Sequence, residues 1–237
     1  MMEGLPSYVL IVFVLTTIAA IGILFQAVKL RAANSPGAKL LFFAVSFWFI
    51  LQGILGIGGF FRNAGSFPPR VFSVGVLPAI LFIAVLFIFF RRDLIERLSL
   101  KTLTLLHLIR VPVEIVLLWL FQAGVVPQLM TFEGRNFDIL SGITAPIIYF
   151  FAFRERGVNR TLLIVWNLVA LLLLFNIVSI AALSLPSPMQ KLALDQPNIA
   201  VTFFPYNWLP SVVVPIVLFA HLASLWILFK RRDLSAN

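Results

Sequence analysis

Read as a pattern of hydrophobic and polar positions, the chain is a succession of long apolar runs separated by short polar stretches. A helix needs about 17 to 25 mostly apolar residues to cross the hydrocarbon of a bilayer. Seven runs approach that length: Ser7 to Leu30, Lys39 to Phe61, Val71 to Phe90, Thr102 to Val125, Asp138 to Phe153, Thr161 to Leu185 and Trp208 to Phe229. The fifth is the shortest. The pattern predicts an all-α polytopic membrane protein, a single seven-helix transmembrane bundle over residues 1–237. The first run has no Lys or Arg before it and is too long for a signal-peptide core, so it reads as a retained span.

Composition agrees with this picture and narrows the chemistry. With 61% of residues hydrophobic and 11% charged, the chain lies far from the average of soluble domains. It has no cysteine, which excludes disulfides, thiolate metal sites, iron–sulfur clusters and a thiol nucleophile.

The net charge of +9 gains its meaning from position. Thirteen basic residues fall on one side of the predicted spans: Lys29, Arg31, Lys39, Arg91, Arg92, Arg97, Lys101, Arg154, Arg156, Arg160, Lys230, Arg231 and Arg232. The other side has four, Arg62, Arg70, Arg135 and Lys191. Basic loops resist translocation, so the N-terminus is expected outside and the C-terminus in the cytoplasm, in a multi-pass protein of the cell (cytoplasmic, inner) membrane. Anionic lipid headgroups are the expected partners of this charge. A nucleic acid is not, because no connection is long enough to fold into a basic domain.

The connections on the basic side are short, as in "RRDLIERLSLK" and "RERGVNR". Those on the other side are longer and rich in Pro, Gly and aromatics; proline-stiffened surface loops explain them most simply. "LFIFFRRDL" closes the third run and "LWILFKRRDL" the seventh, an echo that would suit two three-helix units joined by the fourth span. An apolar helix with a basic anchor also recurs by composition alone.

The candidate chemistry lies within the runs. "HLIRVPVEIVLLWLF" places His107, Arg110 and Glu114 in the fourth span, within roughly a 60° sector of a helix, with Gln122 further along. His107 is expected near the inner third of the membrane and Glu114 near its middle. Charged groups there cost several kcal/mol against lipid, so the stripe must face protein or water. Arg110 and Glu114, four apart, can pair along the helix, and Arg110 has donors left for a neighbouring helix. Pro112 points the other way and removes a backbone donor, which favours a kink.

Depth matching suggests partners for the stripe: His221 and Ser224 on the seventh span, Asn167 and Asn176 on the sixth, Ser46 and Gln52 on the second and Tyr149 on the fifth. Glu133, Arg135 and Asp138 in "TFEGRNFDIL" form a separate group expected at the outer mouth, where Asp138 can cap the fifth span. A buried polar network that only fixes packing is the simpler account of any isolated Asn or Ser. Arg, Glu and His on one sector point further, to function.

Four functions remain open at this level. The foremost is a carrier or channel for an unidentified small solute or a proton, with Glu114 as protonatable carboxylate, Arg110 as its counter-charge or the ligand for an anionic substrate, and His107 and His221 as relay or gate groups. No cofactor is needed for it. An alternative is a redox protein holding haem b between His107 and His221, the chain's two histidines. A metal-dependent intramembrane enzyme acting on lipid would use His107, His221 and Glu114, although His107 and Glu114 lie roughly 10 Å apart along the helix axis. No HExxH or GxSxG motif supports an enzyme. An accessory or sensory subunit is the fourth. A retinal photoreceptor is excluded, because no lysine lies in the middle of the seventh span.

Overall fold

The computed structural model describes residues 4–63, 65–154 and 157–230. Of the basic residues counted above, Arg156, Arg231 and Arg232 lie outside the described residues. Eight α-helices make up most of the described chain: α1 (Ser7–Ala32), α2 (Pro36–Ile57), α3 (Leu77–Phe89), α4 (Leu100–Leu106), α5 (Arg110–Gln122), α6 (Ile139–Ala152), α7 (Arg160–Leu183) and α8 (Val214–Lys230). Apart from helix, the described residues contain one two-residue antiparallel pairing, Phe153–Arg154 (β1) with Gly157–Val158 (β2).

Among the described residues, six stretches are long and apolar enough to cross a membrane: Ser7–Leu30, Pro36–Ile57, Val71–Phe89, Leu100–Gln122, Arg160–Leu183 and Leu209–Lys230. They are what a multi-pass membrane protein requires. The fifth expected span is different. It forms α6, a helix of 14 residues, which at 1.5 Å per residue is about 21 Å long against about 30 Å of hydrocarbon.

Local chemistry accounts for the remaining boundaries. α2 starts three residues before the expected Lys39, because Ser35 accepts a hydrogen bond from the Ala38 amide and Pro36 occupies the first turn. It ends at Gly58 and Gly59, the latter with a φ of 72° that glycine adopts freely. α4 is likewise capped by Ser99, which accepts from the Thr102 amide.

Three of the long stretches are not uniform α-helix, and in each a proline is nearby. α4 passes into α5 through a 3-10 turn at His107–Ile109, and Pro112 lacks the amide that would bond the Leu108 carbonyl. α3 and α8 are each entered through a π-helical turn, Val71–Val76 and Leu209–Val213. Pro78 and Pro215 then free the carbonyls of Val74 and Ser211. Both are recovered by α2: Gln52 Nε2 donates to Val74 O at 3.1 Å, and Trp48 Nε1 donates to Ser211 O at 2.8 Å.

α8 and the α4–α5 pair sit at the centre and are the most buried long stretches. α2 lies at the edge, where Phe43, Phe47, Ile50, Ile54 and Ile57 form a stripe of more than half-exposed side chains spaced three and four apart. The basic loops gather at one end: Lys230 Nζ bonds Glu96 at 2.8 Å, Arg160 donates to the Phe229 carbonyl at 3.4 Å, and the Gly37 amide donates to Asp93 at 3.2 Å.

Candidate functional site

The stripe on α4–α5 assembles with three other helices. His107, Arg110 and Glu114 are 0%, 3% and 2% exposed, so all three face protein, as the cost of charge against lipid demands. Arg110 is the hub. Its Nη1 lies 3.1 Å from Asp138 Oδ1 and 3.4 Å from the Ala170 carbonyl of α7, and its Nη2 lies 3.0 Å from His221 Nε2 on α8. The contact with Asp138 is ionic rather than a directed hydrogen bond, which leaves Asp138 Oδ1 without a donor.

The guanidinium can only donate, so His221 Nε2 must accept and the ring proton is on Nδ1. That proton is donated to Asn167 Oδ1 at 2.9 Å, and Asn167 in turn donates to the Leu163 carbonyl at 2.8 Å. Both nitrogens of His221 are thereby committed. His107 is the opposite case: among the described residues neither of its nitrogens has a hydrogen-bond partner, and its ring stacks on His221 at 3.9 Å with Trp166 edge-on at 5.2 Å. Trp166 is itself anchored by donation to Thr144 Oγ1 at 2.9 Å.

Glu114 does not form the expected pair with Arg110. Its carboxylate accepts instead from Asn136 Nδ2, at 2.7 Å to each oxygen, while the same amide bonds the Met130 carbonyl at 3.0 Å. Asp138 takes the guanidinium. The expected outer-mouth group therefore divides. Asp138 belongs to the stripe, whereas Glu133 and Arg135 keep exposed side chains.

Nor does the Asp138 carboxylate cap α6, because a full positive charge within reach outweighs a partial one at a helix end. The Asp138 amide bonds Asn136 Oδ1 at 3.0 Å. After α5 ends, the chain thus folds back to the depth of Arg110 and starts α6 there, which explains the short helix. Buried backbone off the helix is tolerated at such depth only inside protein, and Thr131, Asn136 and Met130 are all buried. Asn176 holds the returning segment by donating to the Arg135 carbonyl at 2.8 Å. Gly142 lets α6 abut α5 here: a Cβ on it would lie 3.2 Å from that of Arg110.

Of the other expected participants, Asn167 and His221 join the network and Asn176 braces it. Gln52 is occupied with the Val74 carbonyl, Tyr149 packs on Phe153 at 5.4 Å, and Ser46 is exposed. Sequence reasoning missed Asn136 and Trp166. The former carries a faint signal, an Asn two residues before an Asp at a helix start, a spacing that favours a local side-chain turn.

A cavity of about 100 Å³ reaches this network. Its walls come from the two π turns, α5, α7 and α8, with Leu117, Leu174 and Val213 among them, and Arg110, Glu114 and Asp138 supply its charged floor.

The haem reading does not fit. Axial ligation needs two imidazoles on opposite sides of an iron, yet these rings stack face to face at 3.9 Å and both nitrogens of His221 are engaged. For a metal held by His107, His221 and Glu114, the described residues contain no cluster of three or more ligating side chains.

Compared with known families, residues 68–229 match a model described as a domain of unknown function, DUF8737. The match spans α3 to α8 and contains every member of the polar network. No curated protein and no solved structure matches the chain.

Proposed function

This chain belongs to the DUF8737 family, and we propose that it is a carrier or channel of the cell membrane that passes a small solute or a proton through a site centred on Glu114. The observation that carries this reading is the cavity that ends on Glu114, Arg110 and Asp138. A network built only for packing would leave no space beside its charges.

In this reading the bundle is one unit that crosses the bilayer seven times, α6 being the short crossing. The basic end is cytoplasmic, among anionic lipid headgroups, and the N-terminus is outside. A helix that begins at mid-depth beside a charged site is a recurrent way of building carriers. Arg110 is the fixed counter-charge, held by Asp138, His221 and the Ala170 carbonyl. His221, with both nitrogens engaged, positions Arg110 rather than relaying protons. His107, with two open nitrogens, keeps the relay or gate role. Among the described residues Glu114 has no ion-pair partner, which makes it the carboxylate that exchanges its charge.

The test is proton flux in proteoliposomes under an imposed membrane potential, followed with an entrapped pH dye. Wild-type chain conducts, and Glu114→Gln lowers the rate about ten-fold or more while still inserting. An undiminished rate in Glu114→Gln overturns the role of Glu114, and absence of proton flux in the wild type rules out the proton and leaves the small solute as the cargo.

A further inference from the structure

The cavity has two chemically distinct ends, and together they specify an occupant. The walls are hydrocarbon, with Leu117, Leu174, Val213 and Val217 among them. The floor has hydrogen-bonding capacity to spare, mostly as acceptors. A carboxyl group keeps several acceptor sites in either protonation state, yet the Glu114 oxygens share a single amide donor. Asp138 Oδ1 lies 3.1 Å from Arg110 Nη1 but has no directed donor among the described residues. On the donor side, Arg110 has committed Nη1 and one bond of Nη2, and its Nε is without a partner.

The charge count has the same sign. Two carboxyl groups face one guanidinium, so acidic groups outnumber cationic ones at this end of the cavity. An anion is repelled there. A bare proton or a hydrated metal ion makes no use of hydrocarbon walls. A compact cation with several N–H donors and an apolar body satisfies both ends. Size sets the limit: the cavity, about 100 Å³, is smaller than the ~150 Å³ apolar cavity that accommodates benzene.

We propose that the cavity binds a short-chain primary alkylammonium ion, its head donating to Glu114 and Asp138 and its chain lying among Leu117, Leu174 and Val213. The inference rests on the carrier reading only in taking the bound cation as what the carrier moves; binding itself stands on the cavity.

Titration calorimetry of the full chain in lipid nanodiscs, at about pH 7 where an alkylamine is protonated, tests it with n-butylammonium, 1-butanol and butyrate. Saturable binding of one n-butylammonium per chain is expected, about ten-fold or more tighter than 1-butanol, with none for butyrate. Glu114→Gln weakens binding about ten-fold, and Val213→Phe, which fills the apolar end, removes it. Equal binding of 1-butanol, any preference for butyrate, or no saturable n-butylammonium binding overturns the inference. The ligand series on wild-type protein decides this even if a variant does not fold. Butylammonium binding without flux in proteoliposomes would refute the carrier and leave the site. Proton flux lost in Glu114→Gln, without butylammonium binding, would refute the site and leave the carrier.

Discussion

α3 and α8 are made alike and used differently. Each is entered through a π turn, each has a proline at its second residue, and each frees a carbonyl that a side chain of α2 then satisfies. They even close on similar sequences, "LFIFFRRDL" and "LWILFKRRDL". Yet α8 is enclosed by the bundle and carries His221 and Ser224, while α3 is largely exposed and wholly apolar. The duplicated part is backbone geometry, and the chemistry is single. Both π turns line the cavity, so the shared device shapes its walls, and the charges are contributed by α5 and by the segment leading into α6.

The comparison can be broken most severely on the side that carries charge. Arg110→Met leaves Asp138 buried without its cation and His221 without its donor, and is expected to cost about 3–5 kcal/mol in denaturant unfolding of the detergent-solubilised chain. A loss below about 1 kcal/mol would mean that the network is not formed. On the backbone side the effects are smaller and should be equal for the two helices. Gln52→Leu and Trp48→Phe each leave one carbonyl without its donor, and each should lower stability by about 1–2 kcal/mol in the same assay. A cost for one and none for the other would show that the resemblance between the helices is superficial.

The finest comparison is a double-mutant cycle. Pro78→Ala restores the amide that can bond Val74 O, so the cost of Gln52→Leu should shrink by about 0.5 kcal/mol in that background. Strict additivity would show that Gln52 acts through something other than the freed carbonyl.

These contrasts also mark what could be read from the chain. Long apolar runs locate the six long stretches to within a few residues, because burial in hydrocarbon leaves few alternatives to helix. The polar sector of the fourth span was legible for the same reason: His107, Arg110 and Glu114 have one direction in which charge is tolerable. The partner of Arg110 was not. A guanidinium and a carboxylate four apart look like a pair, and only the fold shows that Asp138 and Asn136 return to the same depth and divide the two charges between them. "TFEGRNFDIL" is polar enough to be a surface loop, and local composition cannot tell such a loop from one that folds inward to meet a charge. Asn136 was missed because its significance lies in a residue 22 positions away.

In the seven-crossing reading proposed above, the shortness of α6 has a consequence for the surrounding lipid. A helix of about 21 Å leaves roughly 9 Å of a 30 Å hydrocarbon layer unmatched along that flank. The incoming segment fills part of the gap with aromatic surface, Phe137 being 52% exposed at its end. Acyl chains meeting this flank must shorten or tilt to follow it, at a fraction of a kcal/mol for each ångström of mismatch. In that reading the bilayer is thinner beside α6 than beside the six longer stretches.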